Sequence, residues 1–118
     1  MPGKLLIVDD EKSIADILCE TFEDEDIQSH ALYCGNDAFE YVQANDVSLI
    51  LSDIQMPNGT GIELLDKINQ LEKPPKIMFM TGYSEFSKDE LLKRGALEVF
   101  SKPIDLEVLI NKVTIILK

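Results

Sequence analysis

Asp9, Asp10, Asp53, Thr81 and Lys102 have the side chains needed for metal-assisted phosphoryl chemistry, and each follows a short apolar run. The runs are Leu5-Leu6-Ile7-Val8, Leu49-Ile50-Leu51-Ser52, Ile77-Met78-Phe79-Met80 and Val99-Phe100-Ser101. Two carboxylates about 4 Å apart repel by roughly 4 kcal/mol at an effective dielectric of about 20, so three acids in one cleft call for a cation. Magnesium suits hard oxygen ligands and is commonly held by one or two carboxylates plus a phosphate. Lys102 would add a fixed positive charge, and Thr81 a donor for a phosphoryl oxygen. Phosphoryl transfer asks a protein mainly for positioning and charge neutralisation, and a carboxylate can itself be the nucleophile. Asp53, facing the Asp9-Asp10 pair, is the candidate nucleophile, with Asp9 and Asp10 as metal ligands. Singly, the acids read as solvated turn residues, Lys102 as a surface lysine and Thr81 as a turn hydroxyl. Their meeting at one place distinguishes the two readings.

That meeting requires the runs to be parallel strands, because ligands bind along the carboxyl edge of an open α/β sheet. Helical patterns alternate with the runs as this demands. Strand one is expected over Lys4–Val8. A helix follows over Lys12–Phe22, with Ile14, Ile17, Leu18 and Phe22 as its apolar stripe. Glu23-Asp24-Glu25-Asp26 is placed in the turn beyond it, since acids at a helix C-terminus oppose the macrodipole. This run has no mid-loop glycine and no alternating oxygen ligands, so it is not an EF-hand loop. Ile27–Tyr33 reads as strand two, with Ile27, Ala31 and Tyr33 on one face and Gln28, His30 and Leu32 on the other. His30 has no ligand-spaced partner and is read as structural. A helix carrying Ala38, Phe39 and Val42 opens at Gly35-Asn36-Asp37, with Asn36 or Asp37 as its cap.

Val47–Ser52 is a nearly continuous apolar run, as for a strand covered on both faces. Ile54–Gly61 is a loop by its Pro and Gly content. Gly59-Thr60-Gly61 is too short for a phosphate-cradling fingerprint. A helix is expected over Ile62–Leu71, with Ile62, Leu65, Ile68 and Leu71 on one face. Strand four spans Lys76–Met80, and a polar helix spans Ser87–Arg94 and stops at Gly95. Strand five is Leu97–Ser101. Asp105 caps a last helix with the stripe Leu106, Leu109, Ile110, Val113, Ile116 and Leu117. The fold class is therefore α/β, a doubly wound parallel sheet of five strands with five helices.

Composition narrows the function. The 118 residues carry 22 acids against 11 Lys and Arg, for a net charge of −11. Nucleic-acid binding draws most of its affinity from cationic contacts to phosphate, so direct binding by this domain is not expected. No apolar stretch approaches the roughly 20 residues of a membrane helix, and Met1-Pro2-Gly3-Lys4 does not begin a signal peptide. A cytoplasmic location without membrane contact is the expectation. Cys19 and Cys34 lack metal-ligand spacing and are read as free thiols.

The motifs, in order, resemble the receiver domain of two-component response regulators. They are Leu6-Ile7-Val8-Asp9-Asp10-Glu11, Asp53-Ile54-Gln55-Met56-Pro57 with Gly61, Met80-Thr81-Gly82-Tyr83, Gly95-Ala96 and Lys102-Pro103. The likeness covers the whole chain and implies one receiver domain over residues 1–118, with the flavodoxin-like strand order 2-1-3-4-5. It implies that Asp53 accepts a phosphoryl group from a phosphohistidine on a sensor histidine kinase or a histidine phosphotransfer protein. Mg2+ would be held by Asp10, Asp53 and the main-chain oxygen of Gln55, with Asp9 assisting through water. Lys102 would contact the phosphate, and Thr81 would turn toward it after transfer. The Lys102-Pro103 bond is expected to be cis, a form nearly confined to X–Pro bonds. Pro57 and Gly61 are matched as structural residues. By the same resemblance the chain is no metabolic enzyme. It is a phosphoacceptor switch that promotes its own phosphorylation and dephosphorylation and signals to a partner or output domain.

One position departs from the family. Receivers usually carry Tyr or Phe three residues before the lysine, and here that residue is Val99. Phe100 is one place along, and strand alternation points it to the opposite face. The response is therefore expected in the Thr81–Ser84 segment, with Tyr83, and in the helix after it. Rival readings fit less well. A haloacid-dehalogenase-type phosphatase needs Asp-x-Asp in the first loop, where Asp9 is instead followed by Asp10-Glu11. A flavin-binding module wants a first loop rich in Ser, Thr and Gly, and Asp10-Glu11 would repel its phosphate. A purely structural interaction domain would not require three converging acids.

Overall fold

The computed structural model describes residues 3–82 and 85–118. Its elements run β1 (Leu5–Val8), α1 (Lys12–Asp24), β2 (Ser29–Leu32), α2 (Gly35–Ala44), β3 (Leu49–Asp53), α3 (Gly61–Ile68), β4 (Lys76–Thr81), α4 (Lys88–Lys93), β5 (Glu98–Ser101) and α5 (Leu106–Leu117). The strands form one parallel sheet in the order β2-β1-β3-β4-β5, as expected. Strand alternation builds two cores. Leu5, Ile7, Leu49, Leu51, Met78 and Met80 face α1 and α5, while Leu6, Val8, Ile50, Ile77, Phe79 and Val99 face α2, α3 and α4. A strand covered on both sides has no reason to alternate polar with apolar, which accounts for the unbroken hydrophobic runs.

Helix boundaries correct the sequence reading in several places. Glu23 and Asp24 lie within α1, which ends at Asp24 with Glu25 as its C-cap. The Asp26 N–H donates to the Glu23 carbonyl and the Ile27 N–H to the Phe22 carbonyl, with Asp26 at φ 61°. This is a Schellman closure, and its apolar clasp is the fully buried pair Phe22 and Ile27. Burying such a side chain is worth about 1.5–3 kcal/mol, against about 0.3–1 kcal/mol for an acid at the wrong end of a helix, so packing sets the end. Ile17 is 58% exposed because the buried stripe runs through Ala15, Leu18 and Phe22 instead.

The N-cap of α2 is Cys34, not Asn36 or Asp37, and it makes no side-chain cap bond. The Gly35 and Asn36 N–H groups donate instead to the Gly59 and Asn58 carbonyls at 2.9 and 3.1 Å. The loop after β3 therefore caps this helix. A capping box between Thr60 and Glu63 starts α3, which stops at Ile68, leaving Leu71 outside and Leu64 inside the buried face. Asp105 caps α5 as expected, accepting from the Glu107 and Val108 N–H groups. Leu106 lies in the first turn and is 44% exposed, so it does not belong to the buried stripe. His30 stacks on Tyr41 with ring centroids 4.4 Å apart, in keeping with a structural role.

Candidate functional site

Strand register assembles the site. Val8 pairs with Ser52, which brings Asp9 level with Asp53 at the carboxyl edge. Asp53 pairs with Met80, and Thr81 with Ser101, so Thr81 and Lys102 emerge on the neighbouring strands at the same edge. The Lys102 N–H donates to the Thr81 carbonyl at 2.8 Å, fixing the end of β5 against β4. Residues separated by 93 positions are thereby neighbours.

Asp9 is fully buried, Asp53 nearly so, and Asp10 exposed. One carboxylate oxygen from each of the three lies within 4.8 Å of the other two. The Lys102 ammonium donates to Asp53 Oδ2 at 3.1 Å and reaches Asp9 Oδ2 at 3.4 Å. Main-chain amides hold the other oxygens: Glu11 N–H donates to Asp9 Oδ1 at 2.9 Å and Ile54 N–H to Asp53 Oδ1 at 2.7 Å. The two carboxylates are thus oriented before any ligand arrives.

Burial raises the Asp9 carboxyl above its ordinary pKa. The Glu11 N–H opposes the rise, the Asp53 charge adds to it, and Lys102 offsets part of it. For Lys102, burial works against the charged form, but the hydrogen bond to Asp53 and the charges of Asp53 and Asp9 outweigh it. Its pKa is therefore raised.

The supporting residues also fall where the motifs placed them. Gln55 and Pro57 lie exposed in the loop beyond Asp53, and Met56 between them is buried. Gly61 opens α3 against the backbone of β3's end. A Cβ there would collide with the Asp53 carbonyl oxygen and come within 2.9 Å of Phe79 Cε1. Only glycine lets this helix approach so closely. The Lys102-Pro103 peptide is cis, as expected. Val99 is buried on the α4 side and Phe100 packs on the α1 and α5 side, so the two residues do face opposite ways. Tyr83 and Ser84 lie outside the described residues. Two contacts went unread in the sequence. Asn69 Nδ2 donates to the Arg94 carbonyl at 2.9 Å, and the Arg94 guanidinium lies 4.4 Å from the Phe86 ring centre. Neither pair follows a helical or strand spacing that a sequence could display.

The family model of the response regulator receiver domain matches residues 5–114, and the chain belongs to that family. Solved structures agree. The receiver domain of the Francisella response regulator 1452 is 29% identical with a TM-score of 0.89, the match covering 97% of this chain and 95% of that one. Response regulator TrrA from Thermotoga maritima, in complex with Mg2+ and BeF, is 29% identical with a TM-score of 0.85, covering 98% and 99%. A two-component response regulator from Clostridium difficile is 30% identical with a TM-score of 0.87, covering 97% and 94%. The chain is thus a phosphoacceptor switch of two-component signalling, a class that works with histidine kinases or phosphotransfer proteins and with output domains. Among the described residues no helix is long and apolar enough to cross a membrane.

Proposed function

We propose that Asp53 is the phosphoacceptor, and that it takes a phosphoryl group from a phosphohistidine on a sensor histidine kinase or histidine phosphotransfer protein in the cytoplasm. The observation that carries this reading is the pairing of Asp53 Oδ2 with the Lys102 ammonium at 3.1 Å, while Oδ1 is held by the Ile54 amide. A nucleophile so fixed needs little reorganisation at the moment of transfer. As the new P–O bond forms to Asp53, the P–N bond breaks and its electron pair leaves with the imidazole nitrogen. Lys102 follows the developing phosphoryl charge, and Thr81 donates to a phosphoryl oxygen.

The donor set fits Mg2+: three hard carboxylates clustered within 4.8 Å face the single ammonium of Lys102, which cannot neutralise them all. Asp10, Asp53 and the Gln55 main-chain oxygen would hold the ion, and Asp9 would orient its water. Bound there, it supplies charge neutralisation for the incoming phosphoryl group. The same groups allow the domain to promote both its own phosphorylation and the later hydrolysis of its acyl phosphate. Incubation with acetyl phosphate and magnesium should add one phosphoryl group to the intact mass. Asp53→Ala should lose that addition; uptake at the wild-type rate would overturn the assignment.

A further inference from the structure

Ser52 is fully buried next to the phosphoacceptor, and it carries the only hydroxyl in the central strand segments 5–8, 49–52 and 77–80. Register sets it level with Val8 and Phe79, on the side of the sheet that faces α2 and α3. Apolar neighbours give a hydroxyl no packing advantage there, and a buried hydroxyl is costly without a hydrogen bond. The Ser52 Oγ–H finds that bond in the Asp53 carbonyl oxygen, at 2.7 Å. This carbonyl belongs to the same peptide unit as the Ile54 N–H, which donates to Asp53 Oδ1 at 2.7 Å. A peptide unit is planar and rigid, so holding its oxygen fixes where its N–H points. Gly61 leaves room for the same carbonyl oxygen by lacking a Cβ, and its N–H holds the next carbonyl, that of Ile54, at 2.9 Å.

We propose that Ser52 is a positioning residue for phosphoryl transfer. Its hydroxyl fixes the Asp53–Ile54 peptide, so that the Ile54 amide pins Asp53 Oδ1 and Oδ2 stays turned toward Lys102 and the incoming phosphoryl group. The inference rests on the phosphoacceptor reading above and deepens it. Ser52 touches neither the donor nor the metal ligands' oxygens on the carboxylate; it acts through the main chain of Asp53. A carboxylate has a broad, weakly defined terminal torsion, so its orientation comes from its partners. Lys102 is one such partner, but it is part-exposed and its ammonium also reaches Asp9. The Ile54 amide is the buried partner, and Ser52 is what aims it. Without the hydroxyl the peptide can rock, and the carboxylate spends less of its time in the attacking orientation.

The test uses the full chain with Ser52→Ala, which removes one buried oxygen, and Ser52→Thr, which keeps the hydroxyl. Circular dichroism establishes that each is folded, NMR follows the Ile54 amide proton, and intact mass gives the initial rate of phosphoryl uptake from acetyl phosphate and magnesium. In Ser52→Ala the Ile54 amide proton should move upfield as its short bond loosens. The uptake rate should fall about three- to tenfold, the net worth of one hydrogen bond. Ser52→Thr should return both readings to those of the wild type. A folded Ser52→Ala chain with the wild-type rate would overturn the proposal, and Ser52 would then be a core serine that satisfies only itself. A slowed chain whose Ile54 amide has not moved would overturn it as well, because the loss would not run through that peptide. Uptake by Asp53→Ala at the wild-type rate is a separate outcome, which would overturn the phosphoacceptor reading and this inference with it.

Discussion

Asp9 carries the electrostatic tension of the pocket, because it is fully buried next to a second carboxylate. Its raised pKa means that the native state binds that proton more tightly than the unfolded chain does. Stability is therefore lost as pH rises from the ordinary carboxylate range through the raised value. Asp9→Asn keeps an acceptor for the Glu11 amide and removes the charge. In magnesium-free buffer at pH 7 it should stabilise the fold by on the order of 1 kcal/mol in urea unfolding. A destabilised variant would show that the Lys102 contact, not the burial cost, dominates. The raised pKa of Lys102 runs in the same direction but at higher pH: it adds stability that is present through neutral pH and lost as pH climbs through that value. The stability gap between wild type and Lys102→Met should shrink above about pH 10. Asp9, Asp10, Asp53, Thr81 and Lys102 stood out in the sequence because each follows an apolar run, whereas Gln55, Pro57 and Gly61 came only from the family resemblance. The depth of Asp9, the double contact of Lys102 and the Phe86–Arg94 pair did not stand out, since register and packing create them.

At the scale of elements, strands were read more faithfully than helix ends. An unbroken apolar run such as Leu49-Ile50-Leu51 admits few placements, whereas a helix end depends on what lies beyond it. Asp26 at positive φ lets Ile27 clasp Phe22, and no local propensity announced that. Gly95, at φ 114°, makes the same closure for α4 with Ala96 and Leu91, and there the glycine did signal the stop. Two substitutions test the helices that frame the site. Gly61→Ala forces a Cβ onto the Asp53 carbonyl and should cost about 1–3 kcal/mol in chemical unfolding. Asp105→Ala removes two cap bonds from α5 and should cost about 1 kcal/mol. A neutral Gly61→Ala would mean that α3 can retreat from β3 freely, contrary to the packing seen.

For the molecule as a whole, acidity and topology work together. A net charge of −11 disfavours nucleic acid, while the parallel sheet gathers three of the acids at one edge. Binding of a cation to the folded state alone should raise stability, by about 2.7 kcal/mol when free magnesium exceeds its dissociation constant a hundredfold. Thermal unfolding should shift upward across millimolar magnesium, and Asp10→Asn should blunt the shift. The proposed transfer of a phosphoryl group ends with an acyl phosphate held on one aspartate, Asp53. Borohydride reduces aspartyl phosphate to homoserine, so the position can be read by peptide mass spectrometry after treatment with acetyl phosphate and magnesium. Homoserine at position 53, dependent on magnesium, is the predicted result; homoserine at position 9 or 10 with none at 53 would contradict the account.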